Sequence, residues 1–256
     1  MLPVVTDLER GLRQLGIRFG IVGALVPELL LDARPVRMTN DADVVVVVES
    51  LDDFKAVKDA LAGYGFSSGR HPHQMHHSSG GRLDILPYSD SLAPDARLEL
   101  EHGFVLNMAG FRHVVPNTIQ VHVAADLTLP LAPLPLYVLL KLVAFSDRSA
   151  GKDLDGVFHC LENYLSEDDE RRYGVESHGE GVPFEYTPAY VLGLDGRPFA
   201  DAPVTGTVSA VLARFENPYA DVVRMLMTER GQPLPTDQQR ADVVAAFSWY
   251  RRGLGI

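Results

Sequence analysis

Five consecutive valines at residues 44–48 constrain the fold of this chain more than any other feature. β-Branched side chains favour strands, and an unbroken apolar run is typical of a strand that is covered on both faces. The sequence therefore predicts a buried strand over residues 42–48, inside a sheet. Two carboxylates, Asp41 and Asp43, stand at the mouth of this strand.

The segments around this strand alternate between two periodicities. Apolar residues at helical spacing predict helices over residues 6–15, 24–33 and 51–62, and short apolar runs predict strands over residues 17–22, 82–86, 104–108 and 119–124. Beyond a proline-punctuated joint at residues 131–135, the pattern is helical over residues 136–147, 152–165, 204–215, 219–229 and 237–251. We therefore expect an α/β (α+β) fold with a mixed sheet over residues 1–130, followed by a mainly helical domain over residues 131–256 that shares a cleft with it.

Charge and composition exclude several classes of protein. The net charge is −11, and both halves contain more acidic than basic residues, so affinity for a polyanion would need a local basic patch. No run of about 18 apolar residues is present, and the first residues are charged, which predicts a cytoplasmic protein with no membrane segment. The single cysteine, Cys160, excludes an intrachain disulfide and is expected to be a buried structural thiol.

Carboxylates are the main candidates for chemistry. Asp41 and Asp43 are two residues apart on a predicted strand, so both should point to the same face. Asp84 lies among apolar residues in another predicted strand, where a lone charge needs a partner. If the two strands are neighbours, three mutually repelling carboxylates would converge and could hold Mg²⁺ for phosphoryl transfer. The alternatives are that Asp41 merely ends a turn after Asn40 and that Asp43 pairs with Arg37.

A glycine turn precedes the acidic pair by about twenty residues. Gly23 lies between a predicted strand and a predicted helix, where a glycine allows close approach of the backbone to a ligand. The amides at the start of the predicted helix over residues 24–33 would offer an anion site. A glycine turn, two carboxylates on one strand and a later aspartate on another are together fairly specific.

These residues resemble a known family. The Gly-Ala-Leu turn at residues 23–25, the Arg-Met-Thr-Asn-Asp-Ala-Asp segment at residues 37–43 and Leu-Asp-Ile-Leu-Pro at residues 83–87 resemble the nucleotidyltransferase fold of the DNA polymerase β superfamily. Two downstream segments, at residues 139–148 and 152–155, narrow the resemblance to AbiEii/AbiGii-type nucleotidyltransferases. Many proteins of that type are toxins of toxin–antitoxin pairs.

The resemblance implies a role for each matching residue. Asp41, Asp43 and Asp84 would be the catalytic, metal-binding carboxylates, and Lys141 and Asp153 would complete the active site. The residues implied to bind the nucleotide are Gly23, Ala24, Arg37, Thr39, Arg148 and Lys152. This sequence departs from the pattern in two places. The usual Gly-Ser turn is Gly-Ala here, and Gly156 replaces the second acidic residue of the lysine–aspartate motif, with Asp155 one position early.

Lys141 is also unusual on physical grounds. It interrupts a strongly apolar predicted helix, where a lysine either extends to solvent or faces an anion. Arg148 follows seven residues later, about two helical turns, and so lies on the same side. Two aligned cations would suit a triphosphate. The alternative is an ion pair between Lys141 and Asp84 or Asp147.

The sequence thus predicts a nucleotidyltransferase that uses Mg²⁺ or Mn²⁺ to move a nucleoside monophosphate from an NTP to an acceptor. By the resemblance, the acceptor would be a tRNA or a protein, and the chain would be a toxin with a cognate antitoxin. One alternative is a small-molecule, antibiotic-type nucleotidyltransferase, which the acidic net charge suits better than RNA. A second alternative is a catalytically silent nucleotide-binding protein. The histidine-rich residues 71–77 are expected to form a mobile polar loop, with a zinc site or a substrate contact near Asp84 as alternatives.

Overall fold

A computed structural model describes residues 1–33, 40–100, 103–174 and 180–256. The described residues divide into two compact units. One unit contains the described residues up to Pro133 except residues 30–33, and the other contains residues 30–33 and Leu134–Ile256. The model has a mixed sheet in its first part and helices in its C-terminal part, so the predicted fold class is confirmed.

A seven-stranded mixed sheet forms the centre of the first unit, with the strand order β3-β4-β5-β2-β1-β9-β8. Strand β2 runs antiparallel to β1 and parallel to β5, and β1 runs parallel to β9. The strands of the unit are β1 (Phe19–Val22), β2 (Asp41–Val47), β3 (Phe66–Ser68), β4 (Gln74–His77), β5 (Arg82–Tyr88), β6 (Arg97–Leu100), β7 (Phe104–Asn107), β8 (Ile119–Ala124) and β9 (Leu127–Leu131). Strands β6 and β7 form a separate hairpin.

The valine run lies in the middle of the sheet, as predicted. Val44, Val45 and Val46 are fully buried. Strands β1 and β5 flank their strand on both edges. The helices of this unit are α1 (Leu2–Gln14), α2 (Leu25–Leu30) and α3 (Leu51–Leu61). Helix α3 begins at an N-cap, where the hydroxyl of Ser50 accepts a hydrogen bond from the amide of Asp53 at 3.0 Å.

Helix α2 is shorter than predicted, since it ends at Leu30 rather than at residue 33. Its six residues form less than two turns, so it does not provide the helical anion site that the sequence suggested. Helix α1 begins at Leu2, four residues before the predicted start. Pro3 suits its first turn, where a proline's missing amide hydrogen costs nothing.

The histidine-rich segment was predicted wrongly as a loop. Gln74–His77 is strand β4, which pairs antiparallel with both β3 and β5. Met75 and His77 face the interior, and His76 is exposed. The strand period was therefore present, but the polar character of histidine masked it.

Strand β9 and the helix at Thr187–Gly196 also had no counterpart in the prediction, because each lacks the usual sequence signal. Pro130 led us to interpret residues 131–135 as a joint, whereas β9 runs through this proline. The helix at Thr187–Gly196 is buried along most of its length and therefore has no polar face to reveal its period.

The second unit is helical. Its helices are α4 (Leu134–Arg148), α5 (Gly151–Asn163), α6 (Thr187–Gly196), α7 (Ala202–Ala213), α8 (Asp221–Glu229) and α9 (Asp237–Leu254). Helices α6 and α9 approach closely at two glycines: a Cβ on Gly193 would lie 2.3 Å from the Tyr250 carbonyl oxygen, and one on Gly253 would lie 2.1 Å from the Tyr190 carbonyl oxygen. Within the described residues, no helix is long and apolar enough to cross a membrane.

Cys160 lies in α5 and is fully buried. Burial raises the pKa of its thiol, although the charge of Lys141 opposes this shift. A thiol held in its neutral form is a poor nucleophile, so the expectation of a structural cysteine is confirmed.

Candidate active site

Strand register brings two carboxylates directly opposite each other. Asp43 in β2 and Asp84 in β5 are Cα partners across the parallel pair, as are Asp41 and Arg82 two residues earlier. Neighbouring strands are about 4.8 Å apart, so the side chains of Asp43 and Asp84 leave the same face of the sheet side by side. Like charges directly opposite each other destabilise a sheet. The arrangement therefore suits a bound cation.

Gly23 fits closely beneath this acidic pair. It follows β1, whose Val22 is the register partner of Asp43, and its φ of +77° lies in the left-handed region that favours glycine. A Cβ placed on Gly23 would lie 1.8 Å from Oδ2 of Asp43 and 2.6 Å from its Cγ. The carboxylate of Asp43 thus occupies the space that any other residue at position 23 would need.

Asp41, Asp43 and Asp84 form what we call the acidic edge, at the beginnings of strands β2 and β5. Arg82 neutralises part of this acidic edge. Its Nη2 donates a hydrogen bond to Oδ2 of Asp41, and its Nε lies 3.7 Å from Oδ1 of Asp84. Asp84 is less accessible than Asp41, with side-chain exposures of 20% and 39%. Asp41 therefore does not merely end a turn: it is the first residue of β2 and pairs across the sheet with a cation.

Strand β4 brings a histidine to the same edge. The carbonyl of His73, the residue before β4, accepts a hydrogen bond from the Ile85 amide at 2.8 Å, next to Asp84 in the chain. Nδ1 of His73 is buried and has no hydrogen-bond partner among the described residues. Burial, together with the charges of His71, Lys58 and Arg82, lowers the pKa of His73, and the charge of Asp43 opposes this shift. His73 is accordingly neutral near pH 7.

The acidic edge has the chemistry of a divalent cation site. Carboxylate oxygens are the ligands that Mg²⁺ and Mn²⁺ prefer, and Asp43 and Asp84 present them from adjacent strands. Across the described residues, no three carboxylate, imidazole or thiol side chains stand in an arrangement that would hold a metal ion. Asp43 and Asp84 could supply two protein ligands to such an ion, and Asp41 could join only by exchanging Arg82 for the ion.

A second polar cluster lies in the helical unit. Arg148 donates two hydrogen bonds of 2.6 Å to Asp153, from Nε to Oδ2 and from Nη2 to Oδ1. Lys141 Nζ lies 3.3 Å from Oδ1 of the same carboxylate and 5.8 Å from the centre of the Tyr137 ring. The partner of Lys141 is thus Asp153, rather than Asp84 or Asp147. The prediction that Lys141 and Arg148 share one side of the helix agrees with this geometry.

Asp153 is the anchor of this cluster. Its side chain is fully buried, whereas Lys141 and Arg148 are 18% and 49% exposed. Burial on its own would raise the pKa of Asp153, but the hydrogen bonds from Arg148 and the charge of Lys141 outweigh it, so the pKa is lowered. Two cations thus share one buried carboxylate.

The remaining predicted site residues lie in different settings. Ala24 is half-buried in the turn after Gly23, and Lys152 is exposed at the start of α5. Arg37 and Thr39 lie outside the described residues. Asp155, one position early in the lysine–aspartate motif, is buried and forms an ion pair with Arg230 at 3.4 Å.

Sequence reasoning did not assign two residues that the structure brings to the acidic edge. Arg82 has a detectable signal, because it precedes Asp84 by two residues and strand alternation places both on one face. His73 has no such signal, since its position depends on how β4 pairs with β5.

Comparisons with known proteins give similarities to solved structures only. No protein-family model matches this chain, and no curated protein matches it in sequence. The antibiotic-resistance factor ANT(2'')-Ia is similar at 12% identity and a TM-score of 0.39, over 82% of this chain and 90% of that chain. An antigenic nucleotidyltransferase-like protein from Paracoccidioides brasiliensis is similar at 15% identity and a TM-score of 0.41, over 81% of this chain and 94% of that chain. The function proposed below rests on the geometry of the described residues.

Proposed function

We propose that the chain is a nucleotidyltransferase that depends on Mg²⁺ or Mn²⁺. It would transfer a nucleoside monophosphate from an NTP to an acceptor hydroxyl and release pyrophosphate. One observation carries the proposal: Asp43 and Asp84 stand opposite each other on parallel strands, with the backbone of Gly23 against the Asp43 carboxylate. Paired carboxylates beside a glycine turn are what a metal-bound phosphate chain requires.

Each residue at the acidic edge has a distinct task in this reaction. Asp43 and Asp84 would hold the metal ion, and the bound ion would supply the positive charge that stabilises the phosphate oxygens during transfer. Gly23, which has no side chain, leaves room for the Asp43 carboxylate at this position. Arg82 holds the Asp41 carboxylate in place through their hydrogen bond. The acceptor hydroxyl would give up its proton to solvent and attack the α-phosphorus, the bond from phosphorus to the bridging oxygen would break, and the electron pair would leave with pyrophosphate.

Lys141 and Arg148 would serve the phosphate groups of a nucleotide. Asp153 fixes both cations by direct contacts. A guanidinium in particular can bind phosphate oxygens with two parallel hydrogen bonds. Replacing Lys141 with alanine should therefore lower nucleotide transfer while leaving the fold intact.

Two features of the sequence bear on the identity of the acceptor. The resemblance of the motifs favours a tRNA or a protein acceptor and a toxin with a cognate antitoxin. The net charge of −11 favours an acceptor that is not a long polyanion.

The test is incubation of the protein with each α-³²P-labelled NTP, Mg²⁺ or Mn²⁺, and separate pools of total RNA, cellular protein and small molecules. We expect label in one pool from wild type and none from Asp84→Asn. Asp95→Asn is the matched control, because Asp95 is an exposed carboxylate elsewhere in the same unit. Label in none of the pools with any NTP and either metal would contradict the enzyme, as would equal labelling by Asp84→Asn.

A further inference from the structure

A basic cleft lies next to the acidic edge, within the same unit. Its volume is about 390 Å³, the size of a small-molecule site. Helix α3 forms one wall with Lys55 and Lys58, and the connection between β3 and β4 forms the other with Arg70 and His71. None of the residues that line this cleft takes part in the transfer reaction proposed above.

The charge of the cleft is opposite to that of the chain. Three permanent cations, Lys55, Lys58 and Arg70, face one carboxylate, Asp59, whereas the whole chain carries a net charge of −11. Lys55 and Arg70 are exposed and form no hydrogen bond or ion pair with any other described residue. Lys58 is half-buried and donates a hydrogen bond to the Pro72 carbonyl, which holds its ammonium group at the wall. The cleft is therefore prepared for an anionic group.

Apolar side chains complete the lining. Phe54 is buried, and Leu51 is 39% exposed, beside Leu100 of β6. A small inorganic anion would leave the exposed side chain of Leu51 uncovered. The lining thus suits a ligand that joins an anionic group to a flat, largely apolar body.

A stack of rings links the cleft to the carboxylates. His71 stacks on His73 with ring centroids 5.8 Å apart, and His73 stacks on Phe104 of β7 at 5.0 Å. His71 lines the cleft, and the carbonyl of His73 is bonded to β5 one residue after Asp84. A planar ring seated on His71 would therefore lie near the edge where the metal-bound phosphate is expected.

We propose that this cleft binds the acceptor of the nucleotidyl transfer, and that the acceptor is a phosphomonoester attached to a planar ring, of the nucleoside monophosphate class. The proposal rests on the function given above. Lys55, Lys58 and Arg70 would bind the phosphate group, and Phe54 and His71 would contact the ring.

The experiment measures binding of 5′-AMP by titration calorimetry in a buffer containing EDTA, so that the metal-dependent site does not contribute. Wild type should bind 5′-AMP, and adenosine, which lacks the phosphate, should bind at least about tenfold more weakly. Lys55→Gln and Arg70→Gln should each weaken binding about fivefold or more, because each removes one charged contact at an exposed position. Arg112→Gln is the matched control, since Arg112 is exposed in the same unit and does not line the cleft; it should change binding less than twofold.

Several outcomes would overturn the assignment: equal binding of adenosine and 5′-AMP, wild-type affinity in Lys55→Gln and Arg70→Gln, or an equal loss in Arg112→Gln. The two proposals fail separately. If Asp84→Asn abolishes labelling while the cleft variants bind 5′-AMP normally, the transferase stands and the acceptor cleft is wrong. If the cleft variants lose binding but wild type transfers no nucleotide, the acceptor role is wrong as well as the transferase. A labelled product of wild type with 5′-AMP as acceptor, lost in Arg70→Gln, supports both.

Discussion

The two polar clusters arrange their charges in opposite ways. In the sheet unit, Asp43 and Asp84 stand opposite each other, and Arg82 donates a hydrogen bond to Asp41. In the helical unit, one fully buried carboxylate, Asp153, is shared by Arg148 and Lys141. The first cluster brings like charges together on adjacent strands, and the second places two cations on one carboxylate.

This difference separates a site from a structural anchor. A carboxylate pair in register is costly to the fold, and a bound cation lowers this cost. A carboxylate between two cations stabilises the fold by itself, because its buried charge is compensated. Substitutions at the first cluster should therefore affect activity more than stability, and substitutions at the anchor of the second should do the reverse.

The largest expected effect is on activity. Asp84→Asn should lower nucleotide transfer by about 10³-fold or more, since one of two metal ligands is lost, while changing the melting temperature by less than about 3 °C. Labelling with α-³²P NTP and thermal unfolding monitored by circular dichroism measure the two quantities. Asp95→Asn should leave both unchanged. Unfolding of Asp84→Asn at a much lower temperature would show that Asp84 is a structural residue.

Substitution of Gly23 should have the next largest effect. Gly23→Ala should destabilise the protein by about 3 kcal/mol, because the backbone is left-handed there and the new Cβ would overlap the Asp43 carboxylate. Urea unfolding measures the change. The double variant Gly23→Ala, Asp43→Ala should recover part of the loss, since the carboxylate is then absent. Purely additive losses would contradict a direct clash between the two residues.

Removal of Asp153, the anchor of the second cluster, should have a smaller effect, on the free energy of unfolding. Asp153→Ala should lower the free energy of unfolding by about 2 kcal/mol, because Lys141 and Arg148 lose their shared partner near the protein interior. The partial exposure of both cations keeps the loss below that of a fully buried pair. Asp147→Ala, at an exposed carboxylate on α4, is the control for urea unfolding. An equal loss of stability in both variants would show that the contacts of Asp153 with Lys141 and Arg148 do not stabilise the fold.

The same carboxylate should contribute to acid sensitivity. The pKa of Asp153 is lowered in the folded state, so its stabilising effect is complete above its unfolded value of about 3.8 and is lost as the pH falls through the folded value. Wild type should therefore lose its stability advantage over Asp153→Asn as the pH is lowered below about 4. Urea unfolding of both proteins at pH 7, 5 and 3 measures this gap. A gap that is constant with pH would contradict the lowered pKa.

The smallest effect is that of metal binding on stability. A ligand that binds only the folded state at ten times its dissociation constant stabilises it by about 1.4 kcal/mol. Addition of 10 mM Mg²⁺ or Mn²⁺ should therefore raise the melting temperature of wild type by about 3 °C, and that of Asp43→Asn by much less. Asp153→Asn should show the full increase in melting temperature, because its cluster does not bind the added cation. An equal increase in all three proteins would contradict a metal ion at Asp43.

Much of this could be predicted from the sequence, since the signals are local. The five valines predicted the central buried strand, and strand alternation placed Asp41 and Asp43 on one face. The spacing of Lys141 and Arg148 placed both cations on one side of α4. These predictions depend only on the geometry of a single element, which neighbouring residues encode directly.

Tertiary structure decided what depends on pairing between distant segments. The register of β2 with β5 set Asp43 opposite Asp84 and Asp41 opposite Arg82, and a shift of one residue would have moved Asp84 to the other face. The pairing of β4 with β5 brought His73 to the acidic edge and turned a predicted loop into a strand. Packing of α4 on α5 gave Lys141 the partner Asp153. Each of these contacts joins residues that are distant in the chain, and a local pattern cannot fix which of many possible pairings has the lowest free energy.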